Sequence, residues 1–148
     1  MGKLRKFAGM AASVAAVGAA TMVMAPATAE AAPAPCGPKA RACIDLSANK
    51  AWLMRGGKVT YGAVPITTGR PGYETPVGRY QVTYKDIDHW SQAYDAPMPY
   101  SVFFTESGIA FHEGSLSVQS HGCVHLGHTA AVKFFNALRP GNVVMVHA

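Results

Sequence analysis

Beyond its first residues the sequence has no cluster of lysine and arginine, no internal repeat and no H-E-x-x-H signature. The first absence excludes a nucleic-acid-binding reading, which needs a basic patch or stripe. The second leaves no repeat architecture to consider. The third excludes a helix-borne zinc pair, because His112-Glu113 is followed by Gly114-Ser115 with no histidine at the fifth position. Leucine and isoleucine are missing from the long uncharged run Phe7–Ala25, which is rich in alanine and glycine instead; that disfavours an uncleaved membrane anchor. Nor does an apolar residue stand three positions before Cys36 in "APAPC", so a lipidated cysteine is not expected there. Cysteine itself is scarce, with three in 148 residues.

What is present begins with a basic stretch, Met1-Gly2-Lys3-Leu4-Arg5-Lys6, then the apolar run, then "APATAEAAPAP" with overlapping A-x-A patterns. This order reads as a secretory signal peptide over residues 1–32, cut between Ala29 and Pro33. Residues 33–148 remain as one domain, long enough for a single core. Lys3, Arg5 and Lys6 leave with the leader, taking the formal charge from +5 to +2, or to +3 if Glu30 also leaves. The expected location is secreted or in the cell envelope, outside the cytoplasmic membrane, with no stable membrane insertion after cleavage. In that oxidising setting Cys36 and Cys43, seven positions apart, can pair and staple the leading segment. Cys123 is left over: a reactive thiol, an intermolecular bridge or a buried passenger.

The mature part is mainly β. "ACIDLS" and "KAWLMR" alternate in the manner of strands, and Gly56-Gly57 before "KVTYGAVPIT" is a hairpin signal. Residues 67–78, "TTGRPGYETPVG", read as a Gly/Pro/Thr loop in which Thr75, Pro76 and Gly78 are turn-formers. "RYQVTY" reads as a strand, "KDIDHWSQAYDAPMP" as a long polar loop, and "YSVFFT" and "GIAFHEG" as strands joined by a turn at Glu106-Ser107-Gly108. "NVVMVH" closes the chain as a strand. Only "HTAAVKFFNALRPG" has helical spacing, with Ala131, Phe134 or Phe135, and Leu138 on one face and Pro140-Gly141 as its stop.

"SHGCVHLGH", Ser120 to His128, holds the chemistry; from His112 the spacing is H-x8-H-x-C-x-H-x2-H. Zinc takes such ligands, but usually from paired knuckles, and there is one cysteine here. A nucleophile accounts for more. A thiol attacks as thiolate, and a nearby imidazole (His112 or His121) and a following helix N-terminus would both lower its pKa. Backbone N–H groups at Gly122 and Cys123 would face a developing oxyanion. The residues themselves therefore point to acyl transfer, with a secreted zinc-binding protein as the alternative.

"SHGCVHL" resembles the catalytic motif of the bacterial L,D-transpeptidase family, Ser/Thr-His-Gly-Cys-apolar-Arg/Asn. "CIDLSANKAWLMRGGKVTYGAVPITTG", "ETPVGRYQV", "SGIAFHEG" and "RPGNVVMVH" are similar to further family segments, in the right order between Cys43 and His147. The resemblance implies a sandwich-like β domain with one short helix after the catalytic cysteine, no cofactor and no metal. It implies action on peptidoglycan stem peptides, between the L-centre of meso-diaminopimelate and the terminal D-Ala, and acylation by carbapenems; a monomer is expected. Carried over by position, Cys123 is the nucleophile and His112 the general acid/base. His121 shapes the site and bonds the neighbouring backbone, and Ser120 braces the turn. Gly122 and Cys123 give oxyanion donors, and Ser107-Gly108 contact substrate. Two departures stand out: ten residues separate His112 from Cys123, fewer than in many members, and His125 stands where Arg or Asn is usual. An L,D-carboxypeptidase, using water in place of the acceptor amine, would share the same acyl-enzyme.

Overall fold

A computed structural model describes residues 33–148; the leader expected over residues 1–32 lies outside the described residues. The chain runs β1 (Ala42–Asp45), β2 (Lys50–Arg55), β3 (Lys58–Pro65), β4 (Gly78–Gln81), β5 (Lys85–Ser91), β6 (Ala96–Phe103), β7 (Ala110–Glu113), β8 (Val124–Leu126), α1 (His128–Ala137) and β9 (Val143–His147). The strands form a five-stranded sheet, β3-β2-β1-β9-β4, and a four-stranded sheet, β5-β6-β7-β8. The mainly β reading with one short helix holds.

Period-two alternation sorts the first sheet into two faces. Ala42, Ile44, Ala51, Leu53, Val144 and Val146 point into the main core. Cys43, Trp52 and Met54 point outward, into a small second cluster closed by Cys36 and Ala40. The Cys36–Cys43 disulfide is formed, and it fastens the leading segment over this outer face. Gly56 and Gly57 both have positive φ, 57° and 79°, as the turn between β2 and β3 requires.

The main core lies between the sheets and α1. Phe134 of the helix meets Phe111 of β7 at 5.0 Å and Tyr61 of β3 at 6.4 Å between ring centroids. Ala131 and Leu138 share its buried face, as the helical spacing predicts, while Phe135 packs at the rim against Tyr100. The helix has no basic residue in its last turn. Lys85 supplies that charge from β5: its Nζ donates to the Phe135 and Leu138 carbonyls at 2.5 and 3.0 Å. Such a contact favours the negative end of the helix dipole. Among the described residues no helix is long and apolar enough to cross a membrane.

Three expectations are corrected. The polar stretch 85–99 is not a loop; it forms β5 and the first half of β6. β5 is an edge strand, so much of its surface is wet and its composition polar. Pro97 and Pro99 are two positions apart, so both missing N–H groups fall on the same edge of β6, and β7 pairs with β6 only at Val102 and Phe103. Ordered strand in the fourth segment ends at Gln81 instead of continuing to Tyr84. Finally, a short strand, β8, stands between the His/Cys cluster and the helix.

Phe134 is fully buried. Phe134→Ala should destabilise the fold by about 3–5 kcal/mol, the scale for emptying an aromatic site in a packed core. Denaturant unfolding checks this, and a loss under 1 kcal/mol would mean that the core re-closes around the gap.

Candidate active site

β7 and β8 run parallel, in a register that sets His112 opposite His125 and Phe111 opposite Val124. Alternation then sends Phe111 and Val124 into the core, and Ala110, His112, Cys123 and His125 to the other face. Cys123 and His112 become diagonal neighbours on adjacent strands, a spacing of roughly 7–8 Å that side chains can span. Both line a cleft of about 280 Å³. The β5–β6 hairpin walls it with Tyr94 and Met98, and the β7–β8 loop walls it with Ser115, Ser120 and His121.

His112 is 6% exposed. Its Nδ1 lies 2.7 Å from the Glu113 carbonyl, which can only accept, so Nδ1 carries the proton and Nε2 keeps its lone pair. Burial, with a smaller push from His125 and His89, brings its pKa down to about 4. The Cys123 thiol lies against Met98, Phe103 and Ala110, and its Sγ is 3.9 Å from the Gly108 carbonyl. Burial pushes this thiol up, against a backbone hydrogen bond from Ala110. The expected lowered thiol pKa is therefore corrected: burial favours the neutral thiol and, above about pH 4, the neutral imidazole. The helix does not start directly after the cysteine, because β8 intervenes. It begins at His128, five residues beyond Cys123.

The turn carrying the cysteine is braced by Ser120, as expected. Its Oγ donates to the Cys123 carbonyl at 2.5 Å and accepts the Gly122 N–H at 3.0 Å. That second bond corrects another expectation: the Gly122 N–H is occupied and is not an open oxyanion donor. The Cys123 N–H has no hydrogen-bond partner among the described residues and is the donor that remains. Gly122 adopts φ +116°, the sharp backbone expected before the cysteine.

His121 does not bond the neighbouring backbone. It is exposed, with its ring stacked on Tyr94 at 4.1 Å and met edge-on by Tyr73 at 5.0 Å; no hydrogen bond holds it among the described residues. His125 packs edge to face on His112 at 4.9 Å, and its Nδ1–H donates to the Ser115 carbonyl. The expected substrate pair is divided. Gly108 reaches Cys123 through its carbonyl, while Ser107 lines a different groove with Arg79 and Gln81 and bonds Thr105. His128 lies at the helix start, paired with Glu113 at 2.8 Å.

Thr75 has more to do than form a turn. It is 3% exposed, its Oγ1 donates to the Gly122 carbonyl at 2.7 Å, and it accepts the Gly69 N–H at 3.1 Å. It ties the 67–78 loop to the residue before Cys123. Tyr73 and Tyr94 were likewise hidden in the sequence, since each reaches His121 from a distant loop.

A family model described as the L,D-transpeptidase catalytic domain matches residues 39–146. "Probable L,D-transpeptidase 3" of Mycobacterium tuberculosis is 32% identical over 104 residues, covering 57% of this chain and 38% of that protein. A solved L,D-transpeptidase from Stackebrandtia nassauensis matches with a TM-score of 0.69 and 29% identity, over 72% of this chain and 54% of the other. The LD transpeptidase LdtMt1, solved in complex with imipenem, matches with a TM-score of 0.65 and 26% identity, over 69% of this chain and 56% of the other. This chain thus spans 38% of that curated relative and little more than half of each solved chain.

Two outcomes follow from the geometry. The unfolded chain takes up a proton near the ordinary histidine value of 6.5, which His112 refuses until about 4 in the fold. The His112 contribution to stability is therefore present above 6.5 and lost as pH falls from 6.5 through about 4. Unfolding of the parent and of His112→Gln across that window measures it; equal pH slopes would contradict it. Thr75→Val leaves the Gly122 carbonyl and the Gly69 N–H unpaired. It should cost about 1–3 kcal/mol and slow acylation of Cys123 roughly tenfold or more through misplacement. Thr75→Ser should restore both, and an unaltered rate in the valine variant would remove the positioning role.

Proposed function

This chain belongs to the L,D-transpeptidase catalytic domain family, and from that premise we propose that it is an exported cysteine acyltransferase acting on peptidoglycan stem peptides. The observation that carries the reading is the diagonal pair of His112 on β7 and Cys123 just before β8, facing one cleft, with the proton of His112 fixed on Nδ1.

The steps follow from that pair. Nε2 of His112, unprotonated above about pH 4, takes the Sγ proton as the sulfur attacks the carbonyl of the L-centre of meso-diaminopimelate. The oxyanion is met by the Cys123 N–H. The imidazolium then gives its proton to the departing D-Ala amine, leaving the acyl group on Cys123. A second amine attacks the thioester, His112 accepts its proton, and the thiol is restored. Because both groups start neutral, the thiolate forms with the attack and not before it. Outside the cytoplasmic membrane, where the leader would send the chain, the donor is at hand.

The imipenem complex of LdtMt1 supports a β-lactam probe. A carbapenem should add once per chain to Cys123, and mass spectrometry should find the adduct absent in Cys123→Ala. Incubation with a muropeptide tetrapeptide should release D-Ala. His112→Ala should slow acylation roughly 10²-fold, the scale of a lost general base, and His128→Ala should alter it little. The rate should rise as pH passes about 4, where His112 loses its proton. The thiol should titrate above its reference value of about 8.5. Acylation in Cys123→Ala, or a wild-type rate in His112→Ala, overturns the assignment.

A further inference from the structure

A second cleft, of about 470 Å³, lies away from the cysteine, between the β2–β3 hairpin and the C-terminal end of α1. Arg41, Arg55 and Arg139 line it together with Thr60, Asn136 and Asn142. Among the described residues no carboxylate lines it, and none of the ion pairs there involves an arginine or a lysine. Three arginines therefore line one concavity that no carboxylate lines.

Helix capping does not account for them. Arg41 donates to the Ala137 carbonyl at 3.4 Å, and Arg139 donates to the Asn136 and Leu138 carbonyls at 2.6 and 2.9 Å. A helix end carries only about half a negative charge, and Lys85 already sits on it. Arg55 takes no part. The hydrogen bonds that Arg41 and Arg139 make to the helix end use one donor nitrogen of each guanidinium, which leaves further N–H groups of both free of protein acceptors among the described residues. Asn142 accepts the Arg139 N–H through Oδ1, which leaves its amide hydrogens as donors.

We propose that this cleft is a binding site for a phosphate-class oxyanion, free or carried on a polymer. The Arg41, Arg55 and Arg139 guanidiniums supply charge-assisted donors, and Thr60, Asn136 and Asn142 supply neutral ones. Planar forked donors suit phosphate oxygens. The donors outnumber the roughly four acceptor positions of one carboxylate, which makes a phosphate the better match. No aromatic side chain lines the cleft, so a nucleic acid finds no surface on which to stack a base. The volume lies within the range of small-ligand pockets. The proposal is independent of the acyltransfer chemistry, because no residue of this cleft lines the one around Cys123.

The test is a titration of the isotope-labelled chain, read by NMR, with inorganic phosphate against sodium chloride at matched ionic strength. Phosphate should give saturable shifts at Arg55, Asn136 and Asn142, with the arginine Nε–H signals moving as well, and chloride should not. Arg55→Gln removes a side chain with no internal hydrogen bond among the described residues, so its spectrum should remain folded while affinity falls about tenfold, the scale of one charge-assisted bond. Arg139→Gln should weaken binding similarly, and a thermal melt reports any loss of the helix end separately. Poly(glycerol phosphate) is the second arm. Binding per phosphate that is much tighter than the monomer's assigns a polymer occupant, and equal binding assigns free phosphate. Shifts shared with chloride, or unaltered affinity in both variants, overturn the proposal. Cys123→Ala should bind phosphate as the parent does, so failure here and failure of the acyltransfer reading remain distinguishable.

Discussion

The parallel pairing of β7 with β8 is the constraint on which the site depends. Two strands side by side fix which residues share a face, and one step of slip would reverse every side chain of the strand that slips. A one-residue slip of β8 against β7 would turn Cys123 into the core and bring Val124 out to water, while His112 stayed on the cleft face. The apolar partners thus enforce the register that sets His112 and Cys123 on one face: Phe111 and Val124 are fully buried, and Phe111 is clamped by Phe104 and Phe134. Core packing and chemistry are two faces of the same pair of strands.

Around that pair the fold places supports drawn from far along the chain. Ser120 closes the turn from within, and Thr75 holds it from the 67–78 loop. Tyr73 and Tyr94 fix His121 between them. The isolated bridges Thr67–His125 and Gly69–Ser120 continue the lacing. The segment carrying Cys123 is therefore held on both sides, although only Val124–Leu126 form strand.

Much of this was legible in the sequence. Alternation and Gly56-Gly57 marked the first hairpin, helical spacing marked α1, and the motif marked Cys123, His112 and Ser120. β5 was hidden because an edge strand that meets water on much of its surface carries Asp86, Asp88 and His89, the composition of a loop. β8 was hidden because three residues hold no period; long-range pairing makes it a strand. The role of Gly122 was misjudged for a local reason. The motif marks its N–H as near the reacting atoms, but the Ser120 side chain takes it. Thr75 carried a signal, a hydroxyl within a Thr-Pro turn, but its target lies 47 positions away. Ser107 is marked by its match to a family pair, while its hydroxyl bond to Thr105 follows from the turn and could not be read from the motif.

The neutral state of Cys123 bears on how the protein survives while idle. The same chain holds a disulfide, Cys36–Cys43, and a free thiol. A standing thiolate would be open to exchange with disulfides, its own included, and to stepwise oxidation. A thiol kept protonated by burial is slow in both reactions, because the thiolate is the species that reacts. The protonated sulfur is thus chemically quiet storage, and the low polarity around it serves as a safety catch.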